Sequence, residues 1–296
     1  MPPPAGTDGG RLRAGYLGPP GTVSHAALLA AAPEAEAVAL DTLRDVVLAV
    51  HERALPRALV PVENALEGGV DPVLDALALD APDVALVGEL VHPVSYCLAG
   101  ARPLALDAVE VIVSHPQATG QCTRWLAAHA PRAGLVPAVS TADAVREVAA
   151  GPPGPRAAIG TRVAAERYGA IVLADEIEDD PGNATRFAWL AHAAEAGPPP
   201  RHGPAKTALL FWGAGSAGPG WLVACLDEFA RRAINLTRIE SRPLRRGLGE
   251  YMFFLDLEGS TADAEVAAAV DGLREHADLV RVLGSFPAAG SGVPAR

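Results

Sequence analysis

Small hydroxyl and amide side chains recur at one kind of place in this chain, just ahead of apolar-periodic stretches that read as helices. Thr22, Asn64, Ser140, Thr141 and Thr161 all stand there, and Asn64 has Glu67 three residues on, at the capping-box position. In the run Ser114-His-Pro-Gln117 the proline suits a first helical position, which makes Ser114 or His115 the cap. Helix starts present unpaired N–H groups and a partial positive charge, so several converging on one cleft would hold a multiply charged anion. Arg186 could add a planar pair of donors matched to a carboxylate, or it could be taken up by a surface ion pair with Asp179 or Asp180. Glu63 and Asn64 follow an apolar run, which puts them at the C-terminal end of a buried strand, where open α/β sheets place ligands. Asn64 can donate to a carboxylate; ionised Glu63 can only accept, and is expected to orient its neighbours. Phe187 is expected mainly to pack, and His115, followed by a proline, to cap rather than to act as a base.

The elements that must carry these side chains divide at two breaks in composition. Before residue 195, apolar runs at 13–17, 58–62, 84–87 and 109–114 alternate with helical patterns, which indicates an α/β domain. The stretch 195–204, EAGPPPRHGP, is too rich in proline and glycine for a helix or a central strand and reads as a linker. Beyond it the order is strand 207–212, helix 219–232, strand 236–242, strand 250–257, helix 262–276 and strand 279–285, the ferredoxin-like βαββαβ arrangement. Residues 1–10 read as a disordered leader and 288–296 as a fraying tail.

Composition narrows the function. Half of the 296 residues are apolar, enough for substantial cores. No stretch near the length of a membrane span is free of charged residues or proline, and the leader lacks the order of a secretory signal. A net charge of −11 opposes binding to nucleic acid or anionic lipid, so any anionic ligand must be captured locally. Cys97, Cys122 and Cys225 are too scattered for a disulfide framework or a zinc cluster, which points to a reducing, cytoplasmic setting. Lys206 is the only lysine, so a Schiff-base mechanism would rest on that one side chain. There is no HExxH and no GxSxG, so zinc hydrolases and nucleophilic hydrolases find no support.

Four segments, in order, carry a resemblance: Gly18-Pro-Pro-Gly-Thr-Val-Ser24; Pro61-Val-Glu-Asn64 followed by Gly68-Gly69; Ser114-His-Pro-Gln-Ala118 with Gln121-Cys122; and Asn183-Ala-Thr-Arg-Phe187. Together they resemble the prephenate dehydratase family. A fifth, Ile234-Asn-Leu-Thr-Arg-Ile-Glu-Ser-Arg-Pro243 with Gly249-Glu-Tyr-Met-Phe-Phe254 after it, resembles the ACT regulatory domain attached to that family. The resemblance implies an α/β catalytic domain at 11–194 of the two-lobed periplasmic-binding type (type II), with lobes at about 11–93 plus 174–194 and at 94–173. It implies a ferredoxin-like ACT domain at 205–287. The implied reaction turns prephenate into phenylpyruvate with loss of water and carbon dioxide, in phenylalanine biosynthesis. Aromatisation drives that fragmentation, so no metal or cofactor is expected; the enzyme must hold two carboxylates and deliver a proton to a departing hydroxyl.

By the same resemblance Thr185 lies next to the leaving hydroxyl, either donating the proton or orienting the group while water relays it. The substrate set is Thr22, Glu63, Asn64, Ser114, Gln117, Ser140, Thr141, Thr161, Arg186 and Phe187. Phenylalanine is the implied effector, on Gly220, Trp221, Leu222, Asn235, Leu236, Glu240, Ser241, Arg242 and Pro243, between subunits of at least a homodimer, or of a homotetramer. Three residues depart from the family pattern: Ala65 where a hydroxyl is usual, Val23 where an aromatic is usual, and Trp221 where a small residue is usual, in the region of the effector. Competing expectations are an arogenate dehydratase or a prephenate decarboxylase on the same scaffold and, from another class, a non-catalytic amino-acid sensor. Retention of Thr185 argues for dehydration, since a pure decarboxylase has no use for a group protonating that hydroxyl.

Overall fold

Three β-sheets organise the chain. The computed structural model describes residues 11–152, 154–213 and 219–289; the leader expected at 1–10 and the tail from 290 lie outside the described residues. The first lobe begins with β1 (Arg13–Leu17), α1 (Val23–Ala31), β2 (Glu36–Leu40), α2 (Leu43–His51) and β3 (Arg57–Asn64). β4 (Gly68–Gly69), α3 (Asp71–Asp75) and β5 (Val84–Pro93) follow. The chain then leaves for the second lobe: β6 (Cys97–Gly100), β7 (Val111–Ser114), α4 (Pro116–Gly120), α5 (Thr123–His129), β8 (Gly134–Pro137), α6 (Thr141–Ala150), β9 (Arg156–Gly160), α7 (Arg162–Tyr168) and β10 (Ile171–Ala174). It returns in β11 (Ala184–His192).

The first sheet runs β2-β1-β3-β11-β5 with β4 hairpinned onto β3, and the second runs β10-β6-β9-β7-β8. β1 pairs in parallel with β2 and β3, whereas β11 is antiparallel to both β3 and β5 and so threads the returning chain between them. Three helices start where the sequence places caps, with the hydroxyls of Thr22, Ser140 and Thr161 each accepting the N–H three residues on, and Thr42, which the sequence reading did not single out, caps α2 in the same way. His115, rather than Ser114, caps the helix that opens at Pro116. Asn64 does not cap a helix. It ends β3, and its Oδ1 accepts the N–H groups of Leu66 and Glu67 in a turn that leads into β4, because Glu63 and Asn64 pair with Gly69 and Gly68 as a hairpin.

After a stretch without regular structure at 196–204, the chain builds β12 (Ala205–Trp212), α8 (Trp221–Ala230), β13 (Leu236–Pro243), β14 (Tyr251–Glu258), α9 (Ala264–His276) and β15 (Leu279–Pro287). Its sheet order, β13-β14-β12-β15, is the ferredoxin-like one, and both faces are used. Leu209, Phe211, Leu255 and Leu257 pack under α8 and α9 with Cys225, Phe229 and Leu273. The alternate residues Ala208, Leu210, Met252 and Phe254 join a core with Val46, Val60, Leu77 and Leu190 of the first lobe. β15 crosses β5 so closely that a Cβ at Gly284 would fall 2.0 Å from Leu86 O, so only glycine fits there. Among the described residues no helix is long and apolar enough to cross a membrane.

Candidate active site

The strand ends of the first lobe face the second lobe across a cavity of about 430 Å³. Its walls include Val23 and Ser24 at the head of α1, Asn64 from β3, the hairpin residues Glu67 to Val70, Val94 and Tyr96 at the crossing, Gln117 and Gln121 around α4, and Thr185 and Phe187 from β11. The strand β11 explains which side chains arrive. Successive residues of a strand face opposite sides. Thr185 and Phe187 look into the cavity, and Trp189 continues their face into the core beneath α1 with Tyr16 and Leu28.

Arg186 therefore points the other way, and the expected carboxylate clamp is not there. Its guanidinium bonds Glu63 (3.0 Å) and Glu89 (3.4 Å), and reaches Asp256 of β14. Burial works against its charge, but Asp256, Glu63 and Glu89 outweigh that and raise its pKa above the ordinary arginine value. Neither Asp179 nor Asp180 is its partner; Asp179 accepts the N–H groups of Arg124 and Trp125 at the start of α5. Glu63 leaves the cavity for the same reason, being the cross-strand neighbour of Arg186.

The other expected residues fall into two groups. Asn64, Gln117, Thr185 and Phe187 line the cavity. Thr22, Ser114, Ser140, Thr141 and Thr161 do not, because their side chains or positions serve the ends of elements. Ser114 donates to Ile159 O, Ser140 caps α6 with Thr141 as its first residue, and Thr22 donates to Leu17 O while capping α1. Thr161 has a further use: its hydroxyl donates to Gly21 O at 2.7 Å, and Tyr168 donates to Pro20 O at 2.7 Å, which ties the loop at 18–21 to the second lobe. Gly21 has φ +98, and a Cβ there would meet Ala164 Cβ at 2.9 Å, so glycine lets the lobes touch. The neighbouring His25 accepts the Gly21 N–H through Nδ1, and burial, with Arg167 nearby, lowers its pKa below the ordinary histidine value.

None of the residues lining the cavity is Arg, Lys or His. What it offers an anion is the start of α1, where the Val23 and Ser24 N–H groups precede the capped His25 N–H, together with the Ser24 and Tyr96 hydroxyls and side-chain amides. Burial pushes the Tyr96 hydroxyl far above its ordinary pKa, so it is a donor at any working pH. The cavity floor is a run of amides: Asn64 Nδ2 lies 3.0 Å from Thr185 Oγ1 and 3.0 Å from Asn183 Oδ1, Asn183 Nδ2 lies 2.8 Å from Gln121 Oε1, and Gln121 Nε2 lies 3.4 Å from Glu67 Oε1.

The prephenate dehydratase family profile matches residues 14–195, a stretch that holds the whole cavity. The chain belongs to the prephenate dehydratase family. A prephenate dehydratase of Mycolicibacterium vanbaalenii is 39% identical over 288 residues, covering 92% of this chain and 90% of the relative. The solved prephenate dehydratase of Arthrobacter aurescens, in complex with L-Phe, superposes with a TM-score of 0.84 at 34% identity over 93% of this chain and 90% of that one. A structure described as a quorum-quenching acylase reaches the same TM-score at 29% identity, covering 94% and 98%.

Sequence reasoning about this dehydratase missed Ser24, Glu67, Tyr96, Gln121 and Asn183. Ser24, Gln121 and Asn183 lie inside the motif segments, where small and amide side chains at strand and helix ends were the available signal. Tyr96 carried none, since a single aromatic between two strands reads as core.

The expected effector residues divide between two faces of the C-terminal sheet. Glu240 and Arg242 on β13 face the first lobe: Glu240 packs over Gly69 and bonds Arg238, and Arg242 bonds Asp75 (3.0 and 2.9 Å) and Asp71. Burial works against the charge of Asp75, but Arg242 and Arg245 outweigh it and lower its pKa below the ordinary value. Ser241 and Pro243 are exposed, Leu236 starts β13, and Asn235 precedes it, accepting Glu258 N on its carbonyl. Gly220 caps α8, Leu222 packs under it, and the Trp221 indole sits against Phe211 and Phe253 with Nε1 donating to His276 O at 2.7 Å.

Proposed function

We propose that prephenate binds in the cleft between the lobes, with its ring against Val94, Tyr96 and Phe187 and a carboxylate on the Val23 and Ser24 amides. Thr185 then sits beside the ring hydroxyl. The departing hydroxyl takes a proton and leaves as water, the electron pair of the ring–carboxylate bond completes the aromatic ring, and carbon dioxide departs. Nothing in that sequence calls for a redox group; holding the dianion and supplying one proton suffice.

The observation that carries this reading is the hydrogen bond into Thr185. A hydroxyl can donate once and accept twice. Thr185 Oγ1 receives Asn64 Nδ2, and no acceptor for its own hydrogen is recorded among the described residues, so the O–H is left for the cavity. The same bond speaks against the acylase activity attributed to a structural neighbour. A nucleophilic hydroxyl needs a base to take its proton, whereas this one faces an amide that gives.

The C-terminal sheet at 205–287 is read as an ACT domain, after a linker at 195–204 and a catalytic domain at 11–194. Its βαββαβ order and the Glu240 to Pro243 motif support this. Phenylalanine is its proposed effector, at the shared edge of at least two subunits; the Arthrobacter relative was solved with that amino acid. The three buried, unpaired thiols suit a cytoplasmic setting. The test is direct. Purified protein with prephenate yields phenylpyruvate, read by its absorbance in alkali, with arogenate run alongside; no aromatic product from prephenate overturns the reading.

A further inference from the structure

The hydrogen bonds of the cavity floor close into a ring with one direction. The Glu67 N–H donates to Asn64 Oδ1 (3.2 Å), Asn64 Nδ2 to Asn183 Oδ1 (3.0 Å), Asn183 Nδ2 to Gln121 Oε1 (2.8 Å), and Gln121 Nε2 back to the Glu67 carboxylate (3.4 Å). A main-chain N–H only donates and a carboxylate only accepts, so every amide between them is held one way round. Thr185 hangs from this ring through Asn64 Nδ2. Were the Asn64 amide turned over, its oxygen would take the Thr185 hydrogen, and the hydroxyl would have nothing to give to the cleft.

Asn183 is the member that holds the ring together. It is 2% exposed and is not among the residues that line the cavity, so it is placed to act through its neighbours. It joins Asn64 at the end of β3 in the first lobe to Gln121 after α4 in the second. We propose that Asn183 is a positioning residue for the dehydration: by fixing the Asn64 amide it compels the Thr185 hydroxyl to present its hydrogen to the departing group, and only while both lobes are in reach. The proposal rests on the role given above to Thr185.

The test is Asn183→Asp beside Asn183→Ala. An ionised aspartate can accept from Asn64 but sets oxygen against oxygen at Gln121, which breaks the ring. A protonated aspartate has one accepting and one donating oxygen, the same polarity as the asparagine it replaces. Asn183→Asp is therefore expected to lose about 10²-fold in kcat at neutral pH with a small change in KM, and to recover toward the wild type as pH falls. Asn183→Ala is expected to show no such recovery. It should also lose almost nothing more when combined with Thr185→Ala, because the two act as a unit. Circular dichroism at each pH verifies folding. A pH profile for Asn183→Asp parallel to that of the wild type, or fully additive losses in the double variant, overturns the proposal while leaving the reading of the cleft intact. Absence of wild-type turnover overturns both.

Discussion

Replacing Arg186 separates two accounts of that side chain, and Arg186→Met keeps its stem while removing the charge. The guanidinium side chain is only 10% exposed and sits among Glu63, Glu89 and Asp256, of which Glu89 and Asp256 are 1% and 6% exposed. Leaving a buried carboxylate wholly uncompensated costs about 3–5 kcal/mol. Here neither is orphaned: Glu89 keeps Lys206 at 3.1 Å and the Ala289 N–H at 2.8 Å, and Asp256 keeps Arg238 at 3.7 Å. The expected loss is thus nearer about 2–3 kcal/mol, which in a protein of this size lowers Tm by about 3–5 °C. KM for prephenate should change by less than about threefold, since the guanidinium faces away from the cavity. A carboxylate clamp predicts the reverse: losing a charged hydrogen bond of about 1.5–3 kcal/mol raises KM by about 10-fold to 150-fold with little effect on melting. Thermal melts and initial rates on one preparation decide it, and a large rise in KM at unchanged Tm would refute the reasoning.

Four further outcomes are expected. Thr185→Ala lowers kcat by at least about 10²-fold with the fold intact, and near-normal turnover would remove Thr185 from the chemistry. Gly21→Ala, which drives a Cβ into Ala164 at 2.9 Å, raises KM more than it lowers kcat because the lobes can no longer meet; unchanged kinetics would show that their contact is dispensable. His25 has a folded pKa below its unfolded value of about 6.5, so its contribution to stability is present above that pH and is lost as pH falls through the folded value; His25→Asn should flatten that limb of a stability–pH curve. Phenylalanine is expected to inhibit, and to inhibit more strongly in Trp221→Ala, because the indole lodged against Phe211 and Phe253 occupies room at the head of α8. A flat response in both proteins removes phenylalanine as the effector.

How much of this was legible depended on how far apart the deciding residues lie. The strand at 13–17 was readable to the residue, because an apolar run stands between an arginine and a Gly-Pro turn. The six C-terminal elements were readable to within a few residues for similar reasons. Asn64 misled because a capping box is a local pattern, while the hairpin that overrides it comes from the pairing of Glu63 and Asn64 with two glycines. Arg186 misled more instructively. Alternation along a strand at 184–192 separates it from Thr185, but that stretch was read as a motif and not as a strand. Its partner Asp256 lies in another sheet, a contact that no window of sequence contains. The amide ring was hidden in the same way: Asn64, Gln121 and Asn183 were in view as motif letters and Glu67 as a capping-box residue, and their hydrogen bonds close only once two lobes meet.

The core beneath β12 and β14 has a consequence for how this enzyme comes apart. Leu210 and Phe254 lie in the same apolar cluster as Val60 and Leu190, so the C-terminal sheet serves as a wall of the first lobe. Severing the chain at the proline-rich stretch would strip that wall and leave a greasy scar on the catalytic half. The two parts should therefore melt together, whereas the second lobe has a core of its own and meets the first through hydrogen bonds such as Thr161 to Gly21 and Tyr168 to Pro20.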